Sequence, residues 1–239
     1  NNDPNMGMKG TCFPCNGIVA ATMNDELVYR VGQLIGEDSM WAGYAGLYGT
    51  GLNIHRSPYA GRVFEYYSED GTLTGLIDTI ETLGIQEKGV YVYNKHFVLN
   101  DQEKNRAGIA TWTNEQALRE IYLKGFEIVI KNSDPKAIMT AYNKINDTYC
   151  ANRPDLTTDI LKTEFGFDGV VMTDWLSTGD GRANEALCIE SGVDIIMPGG
   201  KGVYKTLRKD YEEKRLSAAA IERAAGAVIQ LCLRSERNV

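Results

Sequence analysis

The chain holds 239 residues, enough for one domain with a substantial core, and its 43% hydrophobic and 24% charged content is that of an ordinary globular protein. No apolar stretch approaches the roughly 20 residues that cross a bilayer, so a membrane role is not supported. A formal charge of −7, a pI near 5.0 and the lack of any Lys/Arg run argue against nucleic acid as a partner and for an uncharged substrate.

In chain order, the polar opening Asn1-Asn2-Asp3-Pro4-Asn5 carries neither an initiator Met nor a signal-peptide pattern, and reads as the start of a fragment or of a processed chain. Residues 17–23 are a candidate strand. Asn24 can cap a helix whose apolar face is Leu27, Val28, Val31, Leu34 and Ile35. A strand over 47–54 follows, then a helix with Leu73, Leu76, Ile77, Ile80 and Leu83 at helical spacing, then a strand running into Lys95-His96. Thr113-Asn114-Glu115-Gln116 has the pattern of a capping box, and Leu118, Ile121, Tyr122, Gly125 and Phe126 continue the stripe of the helix it opens. Beyond it the pattern predicts strands at 137–142, 168–174 and 193–197, alternating with helices near 156–164, 182–191, 203–213 and 217–234.

Alternating strands and helices are the signature of βα units, and so of an α/β fold with a parallel sheet. Five strands are clear and the segment 17–23 would be a sixth, whereas a (β/α)8 TIM-type barrel needs eight. The expectation is therefore a barrel that lacks its first strands, in a single domain spanning 1–239. Five scattered cysteines (Cys12, Cys15, Cys150, Cys188, Cys232) read as reduced thiols of a cytoplasmic protein. Cys12 and Cys15 have redox-motif spacing, but no second pair or nearby His completes a metal site, and no cofactor is expected.

Three strand ends carry the chemistry. One delivers Lys95-His96, another Tyr142-Asn143, and the run Gly169-Val170-Val171-Met172-Thr173 ends in Asp174-Trp175. Barrels place their active groups at such ends, and a hydroxyl-rich ligand needs this mixture of donors and acceptors. Asp174 could equally cap the segment after its loop. Lys95 alone would also suit a Schiff-base aldolase.

The chain resembles glycoside hydrolase family 3, the β-glucosidase and β-xylosidase group. The resemblance runs through Phe13-Pro14-Cys15, Gly51 to Pro58 (GLNIHRSP), Gly61 to Asp70 (GRVFEYYSED), Lys95 to Arg106 (KHFVLNDQEKNR), MTAYNKIND from Met139, and GFDGVVMTDW ending at Trp175. It implies that Asp174 is the nucleophile of a retaining glycosidase and that Arg62, Lys95 and His96 bind sugar hydroxyls. Tyr142 resembles the family tyrosine near the nucleophile, and Trp175 would offer an apolar face to a sugar ring. Glu103 and Arg106 would orient the Lys-His segment, and Asn100, Glu103 and Arg106 match this pattern rather than an aldolase. Glu65, Ser68, Glu69 and Asp70 would shape their loop, and His55 would fix it.

The resemblance also has gaps. Asp3-Pro4 is a poor match to the family's Asp-Gly-Pro element, and nothing resembles the α/β sandwich domain whose Glu is the acid in two-domain members. No His occurs in 97–112, so the His-Asp dyad of the β-N-acetylhexosaminidase branch is missing. The expected function is that of a β-glucosidase-like, retaining, exo-acting hydrolase of β-glucosides or β-xylosides. The alternative is a noncatalytic sugar-binding fragment without its general acid. The partners expected are the missing strands and sandwich domain, from the rest of the protein or another chain, or a second copy.

Overall fold

The computed structural model describes residues 2–3 and 8–235. The expectations placed on Asn1, Pro4 and Asn5 lie outside the described residues. Two short strands, β1 (Asn2–Asp3) and β2 (Met8–Lys9), pair antiparallel. The segment predicted as a strand over 17–23 is instead helix α1 (Asn16–Ala21). Its first turn closes on the Cys15 carbonyl, which accepts from the N–H groups of Ile18 at 2.9 Å and Val19 at 3.2 Å. Val19 and Ala20 then pack with Val28, Tyr67 and Ile77. A short apolar run fits either element, and here a one-sided packing surface selects the helix.

Helix α2 (Asp25–Trp41) starts where predicted, with the Asn24 side chain accepting from the Leu27 N–H at 3.0 Å. Next come β3 (Gly46–Leu47), α3 (Gly71–Gln86), β4 (Tyr91–Phe97) and β5 (Ala110–Thr111). Helix α4 (Glu115–Ala117) widens into a π-turn at Leu118–Tyr122 and leads into α5 (Lys124–Ser133). Its cap is Asn114, whose Oδ1 accepts from the Ala117 N–H at 2.8 Å, one residue later than the predicted box. Thr113 is held away, its N–H bonded to Asn146 Oδ1.

Strands β6 (Ala137–Thr140), β7 (Lys144–Ile145), β8 (Thr148–Tyr149) and β9 (Val170–Met172) follow, with a π-helical segment at Asp155–Glu164 between the last two. Helices α6 (Glu185–Ser191), α7 (Lys201–Glu212) and α8 (Ala218–Arg234) close the chain. The main sheet runs β3-β4-β6-β9, every pair parallel, and Ile195 adds a parallel bridge to Met172. The described residues thus supply five neighbouring strand positions of a TIM-barrel-like α/β fold, in chain order, where a closed barrel takes eight. Every residue of β6 and β9 is buried, as parallel strands covered on both faces require.

The predicted strand over 47–54 is broken rather than continuous. Its pairing with β4 lapses after Leu47 and resumes where the Thr50 carbonyl accepts from Lys95 N–H and the Lys95 carbonyl accepts from Leu52 N–H. A separate small sheet, β5-β7-β8, lies in the connecting loops and was not expected from the pattern. Among the described residues no helix is long and apolar enough to cross a membrane, and none of the five cysteines is joined in a disulfide.

Helix α3 departs most from its predicted face. Leu76 and Leu83 are 52% and 40% exposed, while Thr74, Asp78, Glu81 and Thr82 are buried. The cause is that α3 is flanked on two sides, by α2 and by α5. Glycines make the contacts: a Cβ on Gly32 would run into the Glu81 carbonyl, and one on Gly75 would sit 2.8 Å from Ile128 Cβ. Gly32→Ala is therefore expected to cost about 1–3 kcal/mol despite alanine's better helix propensity, because two backbones must separate. A denaturant midpoint equal to the wild type's would refute this.

Candidate functional site

The site forms where the parallel strands end. Lys95 and His96 lie on β4, Tyr142 two residues beyond β6 and Asp174 two residues beyond β9. Arg62 comes from the loop before α3 and opens a single 3-10 turn at Val63–Glu65. His55 pins that loop: its Nε2 lies 2.9 Å from the carbonyls of both Val63 and Tyr66, so this nitrogen carries the hydrogen.

Asp174 is 8% exposed. Its Oδ1 accepts from the Trp175 N–H at 2.6 Å, while Oδ2 is buried and accepts no hydrogen bond from any described residue. It caps no helix, since α6 is capped by Asn184, whose Oδ1 accepts from Leu187 N–H. Burial pushes its carboxyl above the ordinary aspartate range, opposed by the Trp175 N–H and by Arg106, Arg62 and Lys95.

His96 is 1% exposed, with Nε2 3.7 Å from Asp174 Oδ2. Burial, reinforced by the charges of Arg62, Lys95 and Arg106, holds it well below the usual histidine range, so the ring is neutral at pH 7. Two residues that the sequence reading gave no role fix this ring. Asn53 grips the His96 backbone through both its amide atoms, each bond 3.0 Å, and brings Oδ1 to 3.2 Å from Nδ1. The Tyr66 hydroxyl lies 3.2 Å from the same nitrogen. An asparagine inside the apolar run Gly51 to Ile54 was the available signal, because a buried amide must bond to something.

The cations are each tied to a carboxylate. Glu65 bonds Arg62 Nε with one oxygen and Lys95 Nζ at 3.0 Å with the other. Glu65 thus ties its own loop to β4 through Lys95. Although burial alone would raise its carboxyl, Arg62 and Lys95 bring it below the ordinary range. Glu103 bonds Arg106 at 2.8 Å, accepts from Asn100 at 3.0 Å and lies 3.9 Å from Arg62. Arg106 in turn stacks over the Tyr142 ring, 4.4 Å from its centroid. The Tyr142 hydroxyl is pushed up by burial and by the Asp174 charge. Trp175 is 46% exposed and leaves indole surface open beside Asp174.

The structure thus joins Arg62, Lys95, His96, Tyr142, Asp174 and Trp175, with Glu103 and Arg106 behind them. One uncommitted carboxylate faces a neutral imidazole amid three guanidinium or ammonium groups. Such a set can bind a polyhydroxylated, uncharged ligand and present one oxygen nucleophile to it.

Residues 4–231 match the family described as Glycosyl hydrolase family 3 N terminal domain. The chain is 42% identical over 193 residues to proteins named probable beta-glucosidase I from Aspergillus flavus and Aspergillus niger, covering 81% of this chain and 22% and 23% of theirs. Among solved structures, beta-glucosidase 3B from Thermotoga neapolitana in complex with glucose superposes with a TM-score of 0.90 at 38% identity, covering 94% of this chain and 32% of that one. A beta-glucosidase from Kluyveromyces marxianus in complex with glucose gives 0.89 at 33% identity, with 95% and 27% covered. The chain therefore spans between a fifth and a third of the length of these relatives.

Proposed function

Because the chain belongs to glycosyl hydrolase family 3, as its N-terminal domain, we propose that it carries the nucleophile and the glycone site of a retaining exo-β-glucosidase. Its substrate is a terminal β-linked glucoside, in keeping with the names of the similar proteins. Asp174 attacks the anomeric carbon; the C–O bond to the leaving group breaks, the departing oxygen takes a proton, and a glycosyl ester on Asp174 is then hydrolysed by water. The observation that carries this reading is the buried Oδ2 of Asp174, the one site carboxylate oxygen on which no described residue places a hydrogen bond. A 2-fluoro glucoside that accumulates the glycosyl-enzyme should label one peptide, and a label on any residue but Asp174 would sink the assignment.

Arg62, Lys95 and His96 bind glycone hydroxyls, with Tyr142 at the rim of the nucleophile and Trp175 stacking on the ring. Each charged bond is worth about 1.5–3 kcal/mol, so Lys95→Ala or Arg62→Ala should lower kcat/KM by roughly 10- to 100-fold, and by more than it weakens ground-state binding. Unchanged kinetics would remove these residues from the glycone site.

The acid limb of activity follows from Asp174. It must be ionised to attack, and its raised pKa places the loss of kcat/KM on acidification above the ordinary aspartate range. Arg106→Met withdraws one opposing cation, so that limb should move to still higher pH. A limb that stays put would show that Arg106 does not act on Asp174.

The proton for the leaving oxygen comes from outside this set. Glu65 is bonded to Arg62 and Lys95, which bring its carboxyl below the ordinary range, and Glu103 is taken up by Arg106 and Asn100, so neither is a ready acid. We assign that role to a carboxylic acid from a second domain, in the same polypeptide or another. The outer strands of the parallel sheet, β3 and the segment at Ile195, are assigned to pairing with further strands or with a second copy. Without the acid, the chain binds sugar and turns over only a glycoside whose leaving group needs no proton.

A further inference from the structure

Between α3 and β4 lies a polar cluster that no step above uses. Asp78 and Glu81, three residues apart on α3, are both buried. The Tyr67 hydroxyl oxygen lies 3.0 Å from Asp78 Oδ1 and 3.0 Å from Glu81 Oε2. Asp78 Oδ2 accepts from Asn94 Nδ2 at 2.9 Å, and the same amide reaches the hydroxyls of Thr50 at 2.8 Å and Thr82 at 3.1 Å.

Hydrogens can be counted here. A phenol carries one, which it can give to only one carboxylate, and the second oxygen–oxygen contact needs a hydrogen of its own. Asp78 has three donors upon it, Tyr67, Asn94 and Thr50, whereas among the described residues the Glu81 carboxyl meets only the phenol oxygen. We infer that Glu81 is held as a neutral carboxylic acid that donates to the Tyr67 oxygen, while Tyr67 donates to an ionised Asp78. The relay ends on Asn94, the residue before Lys95 and His96, so Glu81 is a positioning residue for the strand that delivers them. The inference stands independently of the proposed reaction.

Among the described residues, no cation of the surrounding elements offsets these charges. Helix α1 carries no titratable residue; on α2, Tyr29 bonds Glu87 and Arg30 faces Glu37. On β4, Lys95 goes to Glu65, and on α5 Lys124 and Lys131 both hold Glu127. Burial therefore pushes Asp78 up to about 7 and Glu81 up to about 8, the Asp78 charge adding to the rise at Glu81. Burial and the two carboxyls hold Tyr67 well above the usual tyrosine range, so it keeps its proton. Because the folded state binds protons more tightly than the unfolded chain, the stability from this pair is fully present at low pH. It is lost as pH rises through these raised values.

Infrared spectroscopy of the folded chain at a pH between those two values should show the C=O stretch of a carboxylic acid. The band should shift on 13C labelling of glutamate carboxyl carbons and vanish in Glu81→Gln. The thermal midpoint of the wild type should fall by roughly 5 °C between about pH 6 and about pH 9. Glu81→Gln, whose amide donates in place of the acid, should keep the low-pH midpoint and lose much of that slope, whereas Glu81→Ala should be less stable throughout. Absence of the glutamate band, or a Gln variant with the full wild-type slope, overturns the inference. If the Gln variant does not fold, the labelled wild-type band decides alone.

Discussion

Asp174→Asn is expected to lower turnover by roughly 10⁴- to 10⁶-fold, the scale on which a covalent catalyst fails when its nucleophile is removed. The change is nearly isosteric, so this loss should come without unfolding. It should instead stabilise the protein by roughly 0.5–2 kcal/mol at neutral pH, because a buried carboxylate with one unsatisfied oxygen is a functional strain that the amide relieves. The sign can be checked by pH. A carboxyl raised in the folded state gives stability that is complete below its unfolded pKa and is lost as pH rises through the folded one, so the variant's advantage should shrink on acidification. Paired measurements of initial rate and thermal midpoint test both halves. A variant with a tenth of wild-type turnover, or one less stable by several kcal/mol, would mean that Asp174 is structural.

How much of this was legible in the sequence depended on what each residue answers to. Strands β6 and β9 were readable because a β-branched and apolar run has one common use in a parallel sheet, and β4 because Val90 to Tyr93 runs straight into its polar tip. The broken strand at 46–52 was not, since its pairing lapses between Leu47 and Thr50 for reasons of tertiary geometry. Residues 17–23 show the limit from the other side: six apolar or small residues do not choose between strand and helix until Tyr67 and Ile77 arrive from elsewhere in the chain. Helix α3 misled because amphipathic reasoning puts leucine inward and carboxylate outward, whereas a helix flanked twice spends its close contacts on glycine and can hide Asp78 and Glu81 behind them.

At the site, Asp174, Lys95 and His96 stood out as polar groups at strand ends. Asn53 and Tyr66 did not, because they act on the His96 ring and backbone, a relation of position across 43 and 30 residues that no local pattern carries. Glu65 lay between these cases. Its motif flagged it, yet its bonds to both Arg62 and Lys95 become visible only when two loops and a strand meet.

The chain should also discriminate steeply among leaving groups. The proposed glycosyl transfer to Asp174 needs a proton on the departing oxygen unless that oxygen is already a stable anion, and general acid catalysis is commonly worth about 10²- to 10⁴-fold. Within the site, Glu65 is held by Arg62 and Lys95 and its carboxyl is brought below the ordinary range, while Glu103 is held by Arg106 and Asn100. Asp174 is itself the proposed attacking group. The 239-residue chain should therefore release dinitrophenolate slowly from its β-glucoside, yet leave a glucoside with an alkyl or unactivated aryl leaving group untouched on the same timescale. A plot of log kcat against leaving-group pKa should be steep and negative. Joined to a domain that supplies the acid, the same site should give a shallow slope and hydrolyse cellobiose. A shallow slope for the chain by itself would mean that one of its own carboxylates serves as the acid, and loss of that slope's flatness in Glu65→Gln or Glu103→Gln would say which.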